Sequence, residues 1–411
     1  MRVAIVYNNP YGGTGRIVYD VARRLKERHD VTLVTLTPPG IGMAELESLV
    51  PQRPAIFRGL PSPPNLLGRL YPLFMLGGLH RLQAAYRRVA DRLNAEFDVA
   101  LVFPCIVTPA PLLLKYTTLP TVLYMGEGLR SYLEPTIWRP NAHTGRRLGR
   151  ISVFLDHYDP LRALQNRVFQ HLDVASARRA SRVLAYSYYS REMLYRNYQI
   201  NAQVNYPGVD TTVFTAGDGT LRQHEVLSVG HLWPTKGHDF VVEALAHIPQ
   251  PTRPALVIAG DIANQTERAY LCNLAARRQV QIRFESSRIQ ADIVHRYQRA
   301  KLVAFAPVLE PLGFAPLEAM ACSTPVIGVK EAGVRETICD GEGGYLVDRD
   351  PQAFAAAISK LLADDRLRNE QGQRGREYVL RNWAWEHSID RLDQELLKAA
   401  GMSSAMKSAI C

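Results

Sequence analysis

Glu310 and Glu318 stand eight positions apart in the run Glu310-Pro311-Leu312-Gly313-Phe314-Ala315-Pro316-Leu317-Glu318-Ala319-Met320-Ala321. The apolar run 302–308 before them, with Pro307 near its end, predicts a buried strand that stops there. Pro316 sits where a first helical turn tolerates a missing N–H. Residues 316–321 therefore read as helix, with Leu317, Met320 and Ala321 on one face. Glu310 then falls in the loop beyond the carboxyl end of a strand, and Glu318 one turn into the following helix. Backbone N–H groups at such a helix start favour an anion in the same space. Two carboxylates around an anion pocket suit a ligand carrying hydroxyls as well as phosphates, as a nucleotide sugar does.

A second candidate cluster is Gly230-His231-Leu232-Trp233-Pro234-Thr235-Lys236-Gly237-His238. The apolar run from Val226 ends at Gly230, and the loop delivers Lys236 just ahead of a helix carrying Val241, Val242, Ala244 and Leu245. A third is Tyr11-Gly12-Gly13-Thr14-Gly15, between the strand 3–7 and a helix with Val18, Val21, Ala22 and Leu25 at helical spacing. This loop lacks the third glycine of a dinucleotide fingerprint. The next strand, 31–36, ends without the acidic residue that would hold a ribose. A nicotinamide cofactor is not expected.

Strands at 98–103, 121–124, 181–187, 256–260, 281–284 and 301–307 alternate with helical stretches, which calls for parallel, doubly wound sheets. In such sheets ligands sit outside the carboxyl ends of the strands, where Gly13, Lys236 and Glu310 all fall. At 411 residues the chain is long enough for two domains. The polar, glycine-containing stretch 215–225 reads as the linker.

The spacing Glu310/Glu318, with Pro-Leu-Gly-Phe and Glu-Ala-Met-Ala around it, resembles the signature of family 4 of the retaining glycosyltransferases. The likeness extends through Ala319-Met320-Ala321-Cys322-Ser323-Thr324-Pro325-Val326-Ile327 and Gly343-Gly344-Tyr345-Leu346-Val347, and to Pro207-Gly208-Val209-Asp210. It implies an α/β GT-B fold, two facing Rossmann-like doubly wound domains with a cleft between them. Their expected extents are 1–212, with a crossing helix at about 381–398 begun by Trp383-Ala384-Trp385, and 213–380, leaving a tail at 399–411. It also implies roles. Glu318 would accept hydrogen bonds from ribose hydroxyls, and Glu310 would orient the donor sugar, beside the amides of Gly313, Phe314 and Ala315. Lys236 and His231 would face the departing diphosphate, an arginine being usual where His231 stands. A histidine there still donates a hydrogen bond, but its charge depends on pH near ~6.5. Gly12 and Gly13 match the loop that approaches donor or acceptor.

One departure stands out. Relatives carry a histidine near the reacting sugar where this chain has Met125 or Gly126, while Glu127 and Arg130 remain. Glu127 is then a candidate for part of the catalytic role and Arg130 for the acceptor side. Attack from the leaving-group face, a phosphate oxygen taking the acceptor's proton, is the family expectation. A nucleotide-sugar epimerase or phosphorylase of the same architecture, or a binding protein with a degenerate site, are the competing classes.

No metal is expected, since the Asp-x-Asp at 348–350 follows the 344–347 stretch, away from the expected site, and no His-Glu-x-x-His occurs. Five scattered cysteines without a Cys-x-x-Cys pair argue for a reducing compartment and against a disulfide framework or structural zinc. No apolar stretch reaches the ~20 residues of a membrane span, so a cytoplasmic protein is expected. Residues 1–210 carry 26 Lys and Arg against 15 Asp and Glu, while 211–411 carry 23 against 24. That basic first half suggests an anionic partner: a lipid-linked acceptor or peripheral contact with an anionic membrane face. The apolar segment and arginine-rich helix within 61–97 could contribute to such contact. A nucleic acid is not expected, because aromatic interleaving among the arginines is thin.

Overall fold

The computed structural model describes residues 1–8, 13–35, 48–54, 71–105, 107–128, 159–217, 222–286 and 290–402. Gly12, Arg130, the stretch 55–70 and the arginines between 139 and 158 lie outside the described residues. The chain divides into two compact units: Met1–Pro135 and Gly149–Tyr206 joined by Glu386–Cys411, and a second built on Pro207–Trp385.

In the first unit, β1 (Arg2–Asn8), β2 (Asp30–Thr35), β3 (Gln52–Pro54), β4 (Val99–Cys105), β5 (Thr121–Met125), β6 (Arg182–Ala185) and β7 (Gln203–Val204) form one sheet in the order β3-β2-β1-β4-β5-β6-β7. Every adjacent pair is parallel. Val3 to Tyr7 are buried without a break, the pattern of a strand covered on both faces. The helix Gly13–Leu25 follows β1 and buries Ile17, Val18, Val21, Ala22 and Leu25, the residues whose spacing marked it. The helix Leu79–Glu96 buries Leu82, Tyr86, Val89 and Leu93 and leaves Arg81, Arg87, Arg88 and Arg92 exposed. The two edge strands missing from the sequence reading, β3 and β7, hold three and two residues, too few to show periodicity.

The second unit holds β8 (Gln223–Val229), β9 (Ala255–Gly260), β10 (Ile282–Ser286), β11 (Ala300–Phe305), β12 (Val326–Val329) and β13 (Gly344–Val347), ordered β10-β9-β8-β11-β12-β13. All five pairings are parallel. The order reverses between β8 and β11, which makes that crevice the topological switch point. Val242, Leu245, Leu271, Leu274, Phe354 and Ile358 pack with Leu256 and Leu302 in its core.

Two boundaries shift from the sequence reading. β11 ends at Phe305, two residues short of Pro307. The expected linker 215–225 closes early, because Gln223 to Glu225 already belong to β8. Arg222 donates to the carbonyls of Tyr297 (3.1 Å) and Ala300 (2.8 Å), to that of Ser323 (2.9 Å) and to Thr324 Oγ1 (2.7 Å). A polar residue that looks solvated in sequence is here an anchor for three segments. Among the described residues no helix is long and apolar enough to cross a membrane.

Candidate functional site

The loops after β8 and β11 flank the switch point of the second unit, and each carries one charged candidate. Lys236 closes a short 3-10 turn, Pro234–Lys236. Its Nζ donates to Glu310 Oε2 at 2.9 Å, with both side chains largely shielded from solvent. Two residues 74 positions apart thus meet at one point.

Three residues, Val308, Gly333 and Arg349, donate the bonds that hold the loops in register. The Val308 N–H donates to the Thr235 carbonyl (2.8 Å), and the Gly333 N–H donates to the Glu310 carbonyl (2.9 Å). Arg349 Nη1 and Nη2 donate to the carbonyls of Ala306 (3.0 Å) and Pro307 (2.7 Å), while the same guanidinium pairs with Glu331 (2.7 Å). Gly237 sits between these loops at φ 67°, a left-handed conformation. A Cβ there would run into the Ala306 carbonyl, so only glycine lets the two backbones approach. Leu309, just before Glu310, has φ 50°, a conformation costing about 1–3 kcal/mol for a residue with a side chain.

His238 lies directly behind Lys236 and is buried. Its ring nitrogens face Ser228 Oγ (2.9 Å) and the His231 carbonyl (3.3 Å). The carbonyl can only accept, so Nε2 carries the proton and Nδ1 accepts from the serine. Burial lowers the His238 pKa to about 4, keeping the ring neutral and the tautomer constant. His231 itself is half-exposed, 3.7 Å from Asp261 Oδ2.

The helix Phe314–Ala321 is capped by Gly313 at φ 95°, and Pro316, its third residue, still lies in the first turn where no intrahelical donor is needed. Glu318 is buried, and Tyr297 Oη donates to its Oε2 at 2.7 Å. The neighbouring Cys322 thiol is pushed up to about 12, mainly by burial and then by the Glu318 carboxylate. It is no nucleophile at neutral pH.

Of the candidates named from sequence, the structure brings Lys236 and Glu310 into contact and sets His231, Gly313, Phe314 and Ala315 in the same loops and helix start. Glu318 is in the same helix, with an oxygen already engaged by Tyr297. Gly13 and Glu127 belong to the first unit: Gly13 opens its helix with open space where a Cβ would point, and Glu127 follows β5. Asp350 of the Asp-x-Asp caps the helix Pro351–Ala363 by accepting from the Ala353 N–H (2.8 Å). Sequence reasoning missed Tyr297, Arg349 and His238. For the first two no local pattern exists; for His238 its place between Gly237 and an apolar helix was the only sign.

Two family models match in succession: "Glycosyltransferase Family 4" over residues 11–213 and "Glycosyl transferases group 1" over residues 219–378. The D-inositol 3-phosphate glycosyltransferase of Corynebacterium efficiens is 29% identical over 205 residues, 45% of this chain and 48% of that protein. The GDP-mannose-dependent alpha-(1-6)-phosphatidylinositol monomannoside mannosyltransferase of Mycolicibacterium smegmatis is 29% identical over 210 residues, 46% and 54% of the two chains. The chain thus spans about half the length of the curated relatives it matches. Among solved structures, Anabaena Alr3699/HepE in complex with UDP-glucose superposes with a TM-score of 0.71 over 97% of this chain and 100% of that one, at 18% identity. Two parallel-sheet units of GT-B type, matched in chain order by both models, place the chain in glycosyltransferase family 4.

Proposed function

We propose that the protein is a metal-independent glycosyltransferase that moves a sugar from a nucleotide-diphosphate donor to an acceptor hydroxyl with retention of anomeric configuration. The observation that carries this reading is the Lys236–Glu310 pair at the switch point of the second sheet. An incoming diphosphate competes with Glu310 for the ammonium. Lys236 then neutralises the charge that grows on the leaving group, and the released Glu310 carboxylate turns to the donor-sugar hydroxyls. Glu318, kept in place by Tyr297, offers a fixed carboxylate to the ribose.

Nucleotide sugars as the substrate class are supported by the structural neighbour described as a UDP-glucose complex and by the relative named as GDP-mannose-dependent. The two differ in base and sugar, so the class is shared and the choice within it is not. For the acceptor we favour a lipid-linked or membrane-proximal molecule in glycolipid or other glycoconjugate synthesis. The basic first half supports it, as does a relative named for a phosphatidylinositol mannoside. Flotation with anionic liposomes tests this part; no binding at low salt removes it.

The donor reading is tested by a thermal-shift panel of UDP, GDP, ADP and their sugars. A ligand at 100 times its Kd adds about 2.7 kcal/mol of stability, and no shift with any member would sink the proposal. With the donor known, Glu310→Ala must abolish transfer while leaving nucleotide binding within about tenfold. The anomeric configuration of the product, read by NMR, decides retention. Activity that survives exhaustive chelation decides metal independence.

A further inference from the structure

The Asp-x-Asp of this chain, Asp348-Arg349-Asp350, has no part in the donor chemistry described so far. Its two acids face different tasks: Asp348 is exposed, and Asp350 caps the next helix through the Ala353 N–H. Arg349 between them is bonded to the loops that follow β11 and β12. Its Nε and Nη2 donate to the two oxygens of Glu331, each at 2.7 Å. Nη1 donates to the Ala306 carbonyl (3.0 Å), and Nη2 also to that of Pro307 (2.7 Å). Ala306 and Pro307 are buried beyond the end of β11, where the strand ladder no longer serves their carbonyls. The guanidinium also lies over the Phe240 ring, 5.2 Å from its centroid. Phe240 belongs to the helix His238–Ala246, directly behind Lys236. One planar group thus joins the loops after β11, β12 and β13 to the helix after β8.

The residues it grips come just before two non-glycine residues in the left-handed region. Leu309 (φ 50°) follows Pro307 by two positions, and Ala332 (φ 45°) follows Glu331 directly. A residue with a Cβ stays in that conformation only where its surroundings over-determine it. The two bends meet, since the Gly333 N–H donates to the Glu310 carbonyl at 2.9 Å. Glu310, next after Leu309, therefore takes its direction from two strained bends that Arg349 clamps on their N-terminal sides. The clamp reaches Lys236 as well. The Ala306 carbonyl held by Arg349 is the one against which Gly237 packs, and Lys236 Nζ bonds to Glu310 itself (2.9 Å).

We propose that Arg349 is a positioning residue for nucleotide-sugar binding: it fixes the Lys236–Glu310 pair by clamping the loops after β11 and β12, and acts through that pair. The proposal rests on the donor reading and adds to it a residue outside the loops that carry the charges. A lysine at this position would keep the charge but lose the planar fork. It could not serve both oxygens of Glu331 and two carbonyls at once. Arg349→Lys should therefore loosen the pair while the sheet beneath it stays formed.

The test is a double-mutant cycle on the full chain. Dissociation constants for UDP, GDP and ADP are read by ligand-observed NMR, with the melting temperature of each variant alongside. Arg349→Lys is expected to weaken the nucleotide that binds roughly tenfold. In the Lys236→Met background the same change should weaken it by less than about twofold, because the group it positions is already gone. An equal factor in both backgrounds is what a merely structural role gives, and it overturns the proposal, as does wild-type affinity in Arg349→Lys. Should Arg349→Lys melt below the assay temperature, Glu331→Gln runs the same cycle. It leaves the guanidinium in place, removes one of its two bonds to that side chain, and should cost about threefold in affinity, again only while Lys236 is present. A wild-type chain that binds none of the three nucleotides overturns the donor reading and this proposal with it. Binding with equal losses in both backgrounds overturns this one alone.

Discussion

At His238 a single buried ring serves the neighbouring charges without carrying one. Its folded pKa of about 4 lies below the unfolded value near 6.5. On acidification the unfolded chain therefore binds the proton first. The ring's contribution is whole above pH 6.5 and is lost as the pH falls towards 4, a loss of about 3 kcal/mol at ~1.4 kcal/mol per unit. Chemical denaturation across pH 4–7 should show this slope, and His238→Asn should flatten it in that window. Asp173 titrates with the opposite sign. Burial raises it to about 6, so its contribution is present below pH 4 and declines as the pH rises through 6. Asp173→Asn should remove this opposing slope and leave that of His238, which keeps the two effects apart.

Among the elements, the loops after β8 and β11 depend on each other. Gly237 cannot accept a side chain, because its φ of 67° and the adjacent Ala306 carbonyl both forbid one. Gly237→Ala should cost about 2–4 kcal/mol, strain and displaced backbone together, read as a lower denaturant midpoint. Lys236 is the preceding residue, so the variant should also lose most of any nucleotide-induced thermal shift. A variant with the cost but an unaltered shift would show that the loop does not position the ammonium. The helix Phe314–Ala321 is robust by comparison, since all its residues but Phe314 are buried and Tyr297 satisfies the Glu318 carboxylate among them.

For the whole molecule, the first unit is discontinuous: it takes back Glu386–Cys411 after the chain has built the second. The returning helix Trp385–Ala399 buries Ile389, Leu392 and Leu396. Its Asp393 accepts from His29 (2.7 Å) and Arg28 (3.3 Å), Asp390 pairs with Arg28 (2.8 Å), and Glu395 pairs with Arg182 (3.2 Å). Helix and sheet edge are therefore one folding unit. A chain ended at Trp385 should lose the cooperative unfolding of the first unit while the nucleotide response of the second survives. Leu392→Ala in the full chain should cost about 2–5 kcal/mol. Calorimetry with and without nucleotide separates the two units.

Much of this was legible in the chain itself. Unbroken apolar runs such as 3–7 and 256–259 announce strands buried on both faces, and helical spacing of Val18, Val21, Ala22 and Leu25 announces the helix after the first of them, because burial pattern is a local property of the sequence. Glu310 and Lys236 were visible as loop residues after strand ends for the same reason. Their meeting at 2.9 Å was not, nor was Tyr297 on Glu318, Arg349 under the loop, or Arg222 as an anchor. Each of these joins residues far apart in sequence, and only the strand order and register bring them within hydrogen-bond reach. Tyr186 belongs with them. Its sequence position says aromatic residue after a strand; only the packed sheet shows its ring edge-on to Tyr124 and lying over Gly126.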